Sequence, residues 1–143
     1  MRTREDLEAY LTRSSYPSRE IEENTWLIED REGNETILMR LSDDLVLFRT
    51  NVVDLQAIDP ARAKEFYALL LELNASDLLY GAYGLARTGN DGAKVVLTAA
   101  AQLAHLDYAE FVGILDDFSL AIAKHRKSIE EFIIRPSDSL ATN

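Results

Sequence analysis

Catalysis needs nucleophiles, proton-transfer groups or metal ligands brought together, and this chain supplies few of them. It contains no cysteine, which excludes thiolate metal sites, cysteine nucleophiles and any disulfide framework. Its two histidines are His105 and His125. His125 falls in an apolar seam of helical spacing, the position of a core or interface histidine, and His105 lies between Leu103 and Leu106 just ahead of a helix start. Neither belongs to a His-Glu-x-x-His or other paired-histidine pattern, so no metal site is expected. Asp43-Asp44 and Asp116-Asp117 are adjacent carboxylates, but neighbours on a strand or helix point to different faces. Neither pair can converge on one substrate, and both are expected on the solvated surface. Asn90-Asp91-Gly92 matches part of a calcium loop without its remaining ligands or its terminal Glu, and reads as a turn. Gly81-Ala-Tyr-Gly84 and Gly89-Asn-Asp-Gly92 open no helix and lack a following Gly-Lys-Ser/Thr, so they are not phosphate cradles. No Gly-x-Ser-x-Gly elbow occurs. The expectation is a chain without catalytic, cofactor-binding or metal-binding residues, hence not an enzyme.

Charge and length bound what remains. Fifteen Lys+Arg against 25 Asp+Glu give the 143 residues a net charge of −10. That disfavours nucleic acid and anionic membranes, because attraction to phosphate supplies most of such binding. A 47% hydrophobic and 28% charged composition is that of a globular protein with a core of its own. No run approaches the ~20 apolar residues needed to cross a bilayer, and the polar start Met1-Arg2-Thr3-Arg4-Glu5-Asp6 is unlike a signal peptide, so a cytoplasmic location is expected. The excess charge is uneven: residues 1–35 hold ten acids and five bases.

The elements that must position any site follow from local patterns. A short amphipathic helix starts at Thr3, with Asp6 as its capping partner and Leu7, Tyr10 and Leu11 as its stripe. Strand-like runs follow at 25–30, 36–41 and 45–53, joined by short turns that favour an antiparallel meander. Asp59-Pro60 signals a second helix over 60–73, with Asn74 suited to a left-handed end. Its residues Ala63, Phe66, Tyr67, Leu69, Leu70, Leu71 and Leu73 exceed one stripe, which predicts burial on more than one side, either between sheet and last helix within one subunit or, as favoured in a chain this short, in a symmetric dimer contact. Two further strands are expected at 78–86 and 94–101, joined as a hairpin through Arg87–Gly92. Their many small residues predict something packed closely over that sheet face. Asp107, with Glu110 three residues on, opens a last helix over 107–133. Its apolar seam is Phe111, Leu115, Phe118, Ile122, His125, Ile129 and Phe132. The predicted fold is α+β, ordered α-β-β-β-α-β-β-α: a mostly antiparallel five-stranded sheet packed by helices, the C-terminal helix long. One domain over 1–135 and a disordered tail over 136–143 complete the expectation.

This order, with Leu69-Leu-Leu-Glu-Leu-Asn74 closing a helix, Tyr80-Gly-Ala-Tyr-Gly-Leu85 and Val95-Val-Leu97 on strands and Leu106-Asp-Tyr-Ala-Glu110 opening the last helix, resembles the class I type III secretion chaperones. That is the Tir-chaperone-like superfamily, to which the YbjN-like family is related. The resemblance spans about residues 3–133 and implies a homodimeric cytoplasmic chaperone, without nucleotide or metal, that holds an extended segment of a client protein. It implies that Phe66, Tyr67, Leu70 and Leu73 join the dimer interface and that Leu7, Tyr10, Leu11 and Trp26 receive client side chains. The acidic N-terminal region that carries these candidates would suit a basic or amphipathic partner segment. The alternative is a YbjN-like regulatory interaction protein in cytoplasmic signalling or stress response, with no secretion client. The basic Lys124-His-Arg-Lys127 cluster on the long last helix fits that reading equally well.

Overall fold

The computed structural model describes residues 2–87, 89 and 92–134. The tail expected over 136–143, and Thr88, Asn90 and Asp91 of the hairpin loop, lie outside the described residues.

Helix α1 (Arg4–Arg13) begins where the Asp6 carboxylate accepts the Thr3 N–H at 2.7 Å, and it turns Leu7 and Leu11 inward. An unexpected strand β1 (Ser18–Glu22) precedes the expected meander of β2 (Thr25–Glu29), β3 (Glu35–Ser42) and β4 (Leu45–Asp54). After two 3₁₀ turns come α2 (Ala63–Ser76), β5 (Ala82–Arg87), β6 (Ala93–Gln102) and α3 (Tyr108–Glu130). The sheet has six strands in the order β1-β2-β3-β4-β6-β5, every neighbouring pair antiparallel. The fold is α+β as expected, but the sheet is not five-stranded. Ser18–Glu22 is exposed throughout and polar but for Ile21, so it shows no alternation; it becomes a strand only because β2 offers a ladder to pair with, through a turn in which Asn24 takes φ +60.

Two other expectations change for tertiary reasons. Residues 78–81 are not strand: they form a loop drawn onto α3, where a Cβ on Gly81 would come within 3.1 Å of the Phe118 ring. Asn74 does not end α2 in a left-handed turn. It lies inside the helix, its Oδ1 accepting the Tyr83 N–H at 2.7 Å and its Nδ2 donating to the Tyr83 carbonyl at 3.1 Å. An amide side chain thereby pairs with the edge strand β5 as another strand would.

One face of the sheet carries the core. Trp26, Ile28, Ile37, Met39, Val46, Phe48, Val95 and Leu97 are buried there with Leu7 and Leu11 of α1 and Phe111, Leu115 and Phe118 of α3. The seam of α3 therefore packs on sheet rather than on a second long helix. Past α3, the Ile58–Ile133 bridge and the bond from the Asp59 N–H to the Phe132 carbonyl (2.9 Å) fasten its end to the connection that follows β4.

The opposite face is open. It presents Leu27, Leu38, Leu45, Leu47, Arg49, Thr98, Ala100, Ala82 and Gly84, none of them fully buried, and on the same face only Thr25 and Val96 among the described strand residues are covered. A Cβ built on Gly84 meets nothing within 4 Å, so no layer packs closely over the small residues of this face. Ala99 and Ala101, on the core side, are the small residues that lie against the packed layer.

Candidate interaction surfaces

The residues with chemical potential turn out to hold elements together. Asp117 is buried, contrary to the expectation of a solvated pair, because its oxygens accept three consecutive backbone N–H groups: Leu79 at 3.1 Å, Tyr80 at 2.9 Å and Gly81 at 2.9 Å. Asp116 points elsewhere, as helical neighbours must, and binds the Tyr16 hydroxyl and Arg31 (2.7 Å). Burial would raise its pKa, but those two donors outweigh it and leave the group below the ordinary carboxylate range.

His125 is buried and joins three elements. Its Nδ1 lies 2.7 Å from the Tyr83 hydroxyl on β5, and its Nε2 lies 3.1 Å from Asp77 Oδ2 at the end of α2. Lys124 reaches the same Asp77 oxygen at 3.0 Å. Lys124 and His125 hold the Asp77 carboxyl below its ordinary range. Burial, with the Asp117 and Asp77 carboxylates nearby, pushes the Tyr83 hydroxyl up, so it stays protonated. His105 is exposed in the 3₁₀ turn before α3 and takes part in no such network. Among the described residues no group of three His, Asp or Glu could hold a metal ion, and no helix is long and apolar enough to cross a membrane.

The residues expected to meet a partner lie mostly inside. Leu7, Leu11 and Trp26 are core residues, with the Arg4 guanidinium stacked 4.9 Å over the Trp26 ring. Tyr10 is half-buried, accepting from Arg2 (2.8 Å) and donating to the Leu106 carbonyl (2.9 Å). Leu11 and Trp26 do share the floor of a polar groove of about 490 Å³ between α1 and β1, with Glu8, Arg19 and Glu20 on its walls. On α2, Phe66 and Leu70 are buried within the protomer, Phe66 against Phe132 at 5.5 Å. Leu73 is partly buried, and Tyr67 is 38% exposed. The neighbours of these residues carry the larger apolar exposure: Leu71 at 69% on α2 and Leu79 at 87% in the following loop.

The open sheet face is a second apolar surface. Cross-strand pairing sets Leu27 beside Leu38, Leu38 beside Arg49, and Leu47 between Arg40 and Ala100. Leu45 and Leu47 are 44% and 36% exposed. Sequence reasoning did not single out these residues. The signal was present in Ile37-Leu38-Met39 and Leu45-Val46-Leu47-Phe48, which are apolar on both faces of strands that pack on one side only.

A long α3 and an α1 laid on one side of an antiparallel sheet, with the other side bare, can be set against known families. The family model CesT_Tir_1 matches residues 1–135. The chain belongs to the CesT_Tir_1 family. Two solved structures share the fold of this CesT_Tir_1 member. YbjN from E. coli, described as a candidate transcription regulator, superposes with a TM-score of 0.64 at 15% identity, covering 93% of this chain and 96% of YbjN. The ExsC–ExsE complex gives 0.51 at 12% identity, covering 89% of this chain and 96% of the matched chain. No curated protein matches the sequence.

Proposed function

We propose that this chain is a non-enzymatic, homodimeric protein-binding module that holds an extended segment of a partner protein, in the manner of a chaperone. The observation that carries the proposal is the uncovered sheet face. Leu27 pairs with Leu38 across β2 and β3, and Leu45 and Leu47 alternate along β4, with Arg40 and Arg49 set among them, on a fold whose helices serve other surfaces. Such a patch on a protein of this size marks a binding surface. Leu7, Leu11 and Trp26 back the fold from the core side, and contact with the partner passes to the residues of the open face.

The dimer contact is proposed on α2 through Tyr67 and Leu71, which share a helical face at i, i+4, with the exposed Leu79 in the loop that follows, while Leu73 stands with Phe66 and Leu70 on the core-packed side. Phe66 and Leu70 anchor that helix to its own protomer. A contact of this kind meets itself across a two-fold axis, the usual form of a homodimer interface.

A second reading gives the same surfaces a regulatory partner and no secretion client. It is supported by the closer superposition on YbjN, described as a candidate regulator, while the ExsC–ExsE structure is that of a complex between two proteins. The partner's identity separates the two readings.

Cellulose-bound arrays of random 12-residue peptides test the proposal directly. The labelled protein is expected to select peptides rich in large apolar residues, and Leu47→Asp is expected to abolish that selection without lowering the melting temperature. Selection unchanged by Leu47→Asp would remove the sheet face from the proposal.

A further inference from the structure

The open face carries a cation with no carboxylate partner among the described residues. Arg49 sits on β4, partly buried, with Leu38 beside it across β3 and Leu47 two residues away on the same face. Its Nε donates to the neutral Asn51 Oδ1 at 3.1 Å, and no carboxylate forms an ion pair with it among the described residues. The other cations of this face are engaged: Arg19 grips Glu35 through two bonds of 2.6 and 3.1 Å, and Arg40 faces Glu22 at 3.6 Å. Arg49 forms one wall of a shallow depression of about 400 Å³, floored by Leu27 and Leu38 and closed by Asn51, Thr36 and the already paired Glu35. A partly desolvated guanidinium with its two terminal nitrogens unclaimed matches a carboxylate bidentately, and it does so best where apolar walls thin the water around it.

We infer that this depression takes a carboxylate set among large apolar side chains, so that the partner segment held on the open face is acidic and apolar rather than basic. This rests on the reading of the face proposed above. It departs from the expectation drawn from the acidic N-terminal region because five of the ten acids there are already paired within the protomer. Arg4 holds Glu8 and Glu20, Arg40 faces Glu22, Arg126 holds Glu32, and Arg19 holds Glu35. Residues 1–35 still hold half of the net charge of −10, but the depression on the open face presents Arg49.

The same random peptide array, probed with the full-length protein and its variants, tests the inference. Wild-type protein is expected to enrich peptides with Asp or Glu flanked by Leu, Ile or Phe about threefold or more over their share of the array, as charge complementarity requires. Arg49→Gln should lose the acid preference while keeping the apolar one, and Arg49→Glu should turn the preference to Lys and Arg. Apolar selection without acid preference, still abolished by Leu47→Asp, would overturn the inference and leave the proposed function standing. Apolar selection that survives Leu47→Asp, or no selection at all, would overturn both. A halved mass by light scattering for Arg49→Glu would assign the face to a second copy of the chain and overturn the inference as well.

Discussion

At the scale of single residues, two carboxylates position the stretch from α2 to β5. Asp117 gathers three N–H groups of the loop before β5, and with the close approach of Gly81 to Phe118 it fixes where that strand begins. Each bond to a charged acceptor is worth about 1.5–3 kcal/mol net, so Asp117→Ala is expected to cost about 3–5 kcal/mol and Asp117→Asn roughly half, measured by urea unfolding. Asp77 is held low by Lys124 and His125. Its folded pKa lies below its unfolded one, so its contribution is present above the ordinary carboxylate range near pH 4 and is lost as pH falls through the depressed folded value. Melting temperatures between pH 7 and pH 3 should fall less steeply for Asp77→Asn than for wild type. Equal slopes would mean that the pair contributes nothing.

At the scale of elements, capping chemistry and strand alternation were readable from the chain because they are local. Thr3 with Asp6, Asp59-Pro60 and Asp107 with Glu110 all stand at the helix or turn starts they announce. β1 was not readable, since its five exposed residues owe their conformation to β2 rather than to any pattern of their own. Nor was the loop at 78–81, whose β-like composition gave way to the pull of Asp117. Among the site residues, Tyr67 could be read from the excess apolar circumference of α2. The burial of Leu7 and Leu11 could not, because a stripe does not say whether it faces the core or a partner. The open face escaped because strands apolar on both sides look like ordinary core strands until the helices are placed. Asn74 illustrates the same limit: helix-ending in isolation, it serves here to satisfy an edge strand. Asn74→Ala should cost about 1–3 kcal/mol by leaving the Tyr83 N–H and carbonyl without their partners, read by thermal unfolding.

At the scale of the whole molecule, the helices bury one sheet face and leave two apolar surfaces, one along α2 and one across β2 to β4. The proposed dimer contact lies on the first and the proposed partner site on the second. Leu71→Asp, at a residue 69% exposed, should leave the fold intact and halve the mass seen by light scattering at micromolar concentration. A wild-type chain that is already monomeric there would remove the dimer from the account.

The assignment of the partner to the sheet face is tested most directly by fluorescence anisotropy with a labelled array-selected peptide, titrated against wild type, Leu47→Asp and Leu71→Asp. The account predicts that Leu47→Asp weakens binding by about tenfold or more, the scale of a lost apolar anchor, while Leu71→Asp binds within about twofold of wild type. The reverse pattern, with Leu47→Asp binding normally and Leu71→Asp not at all, would contradict it.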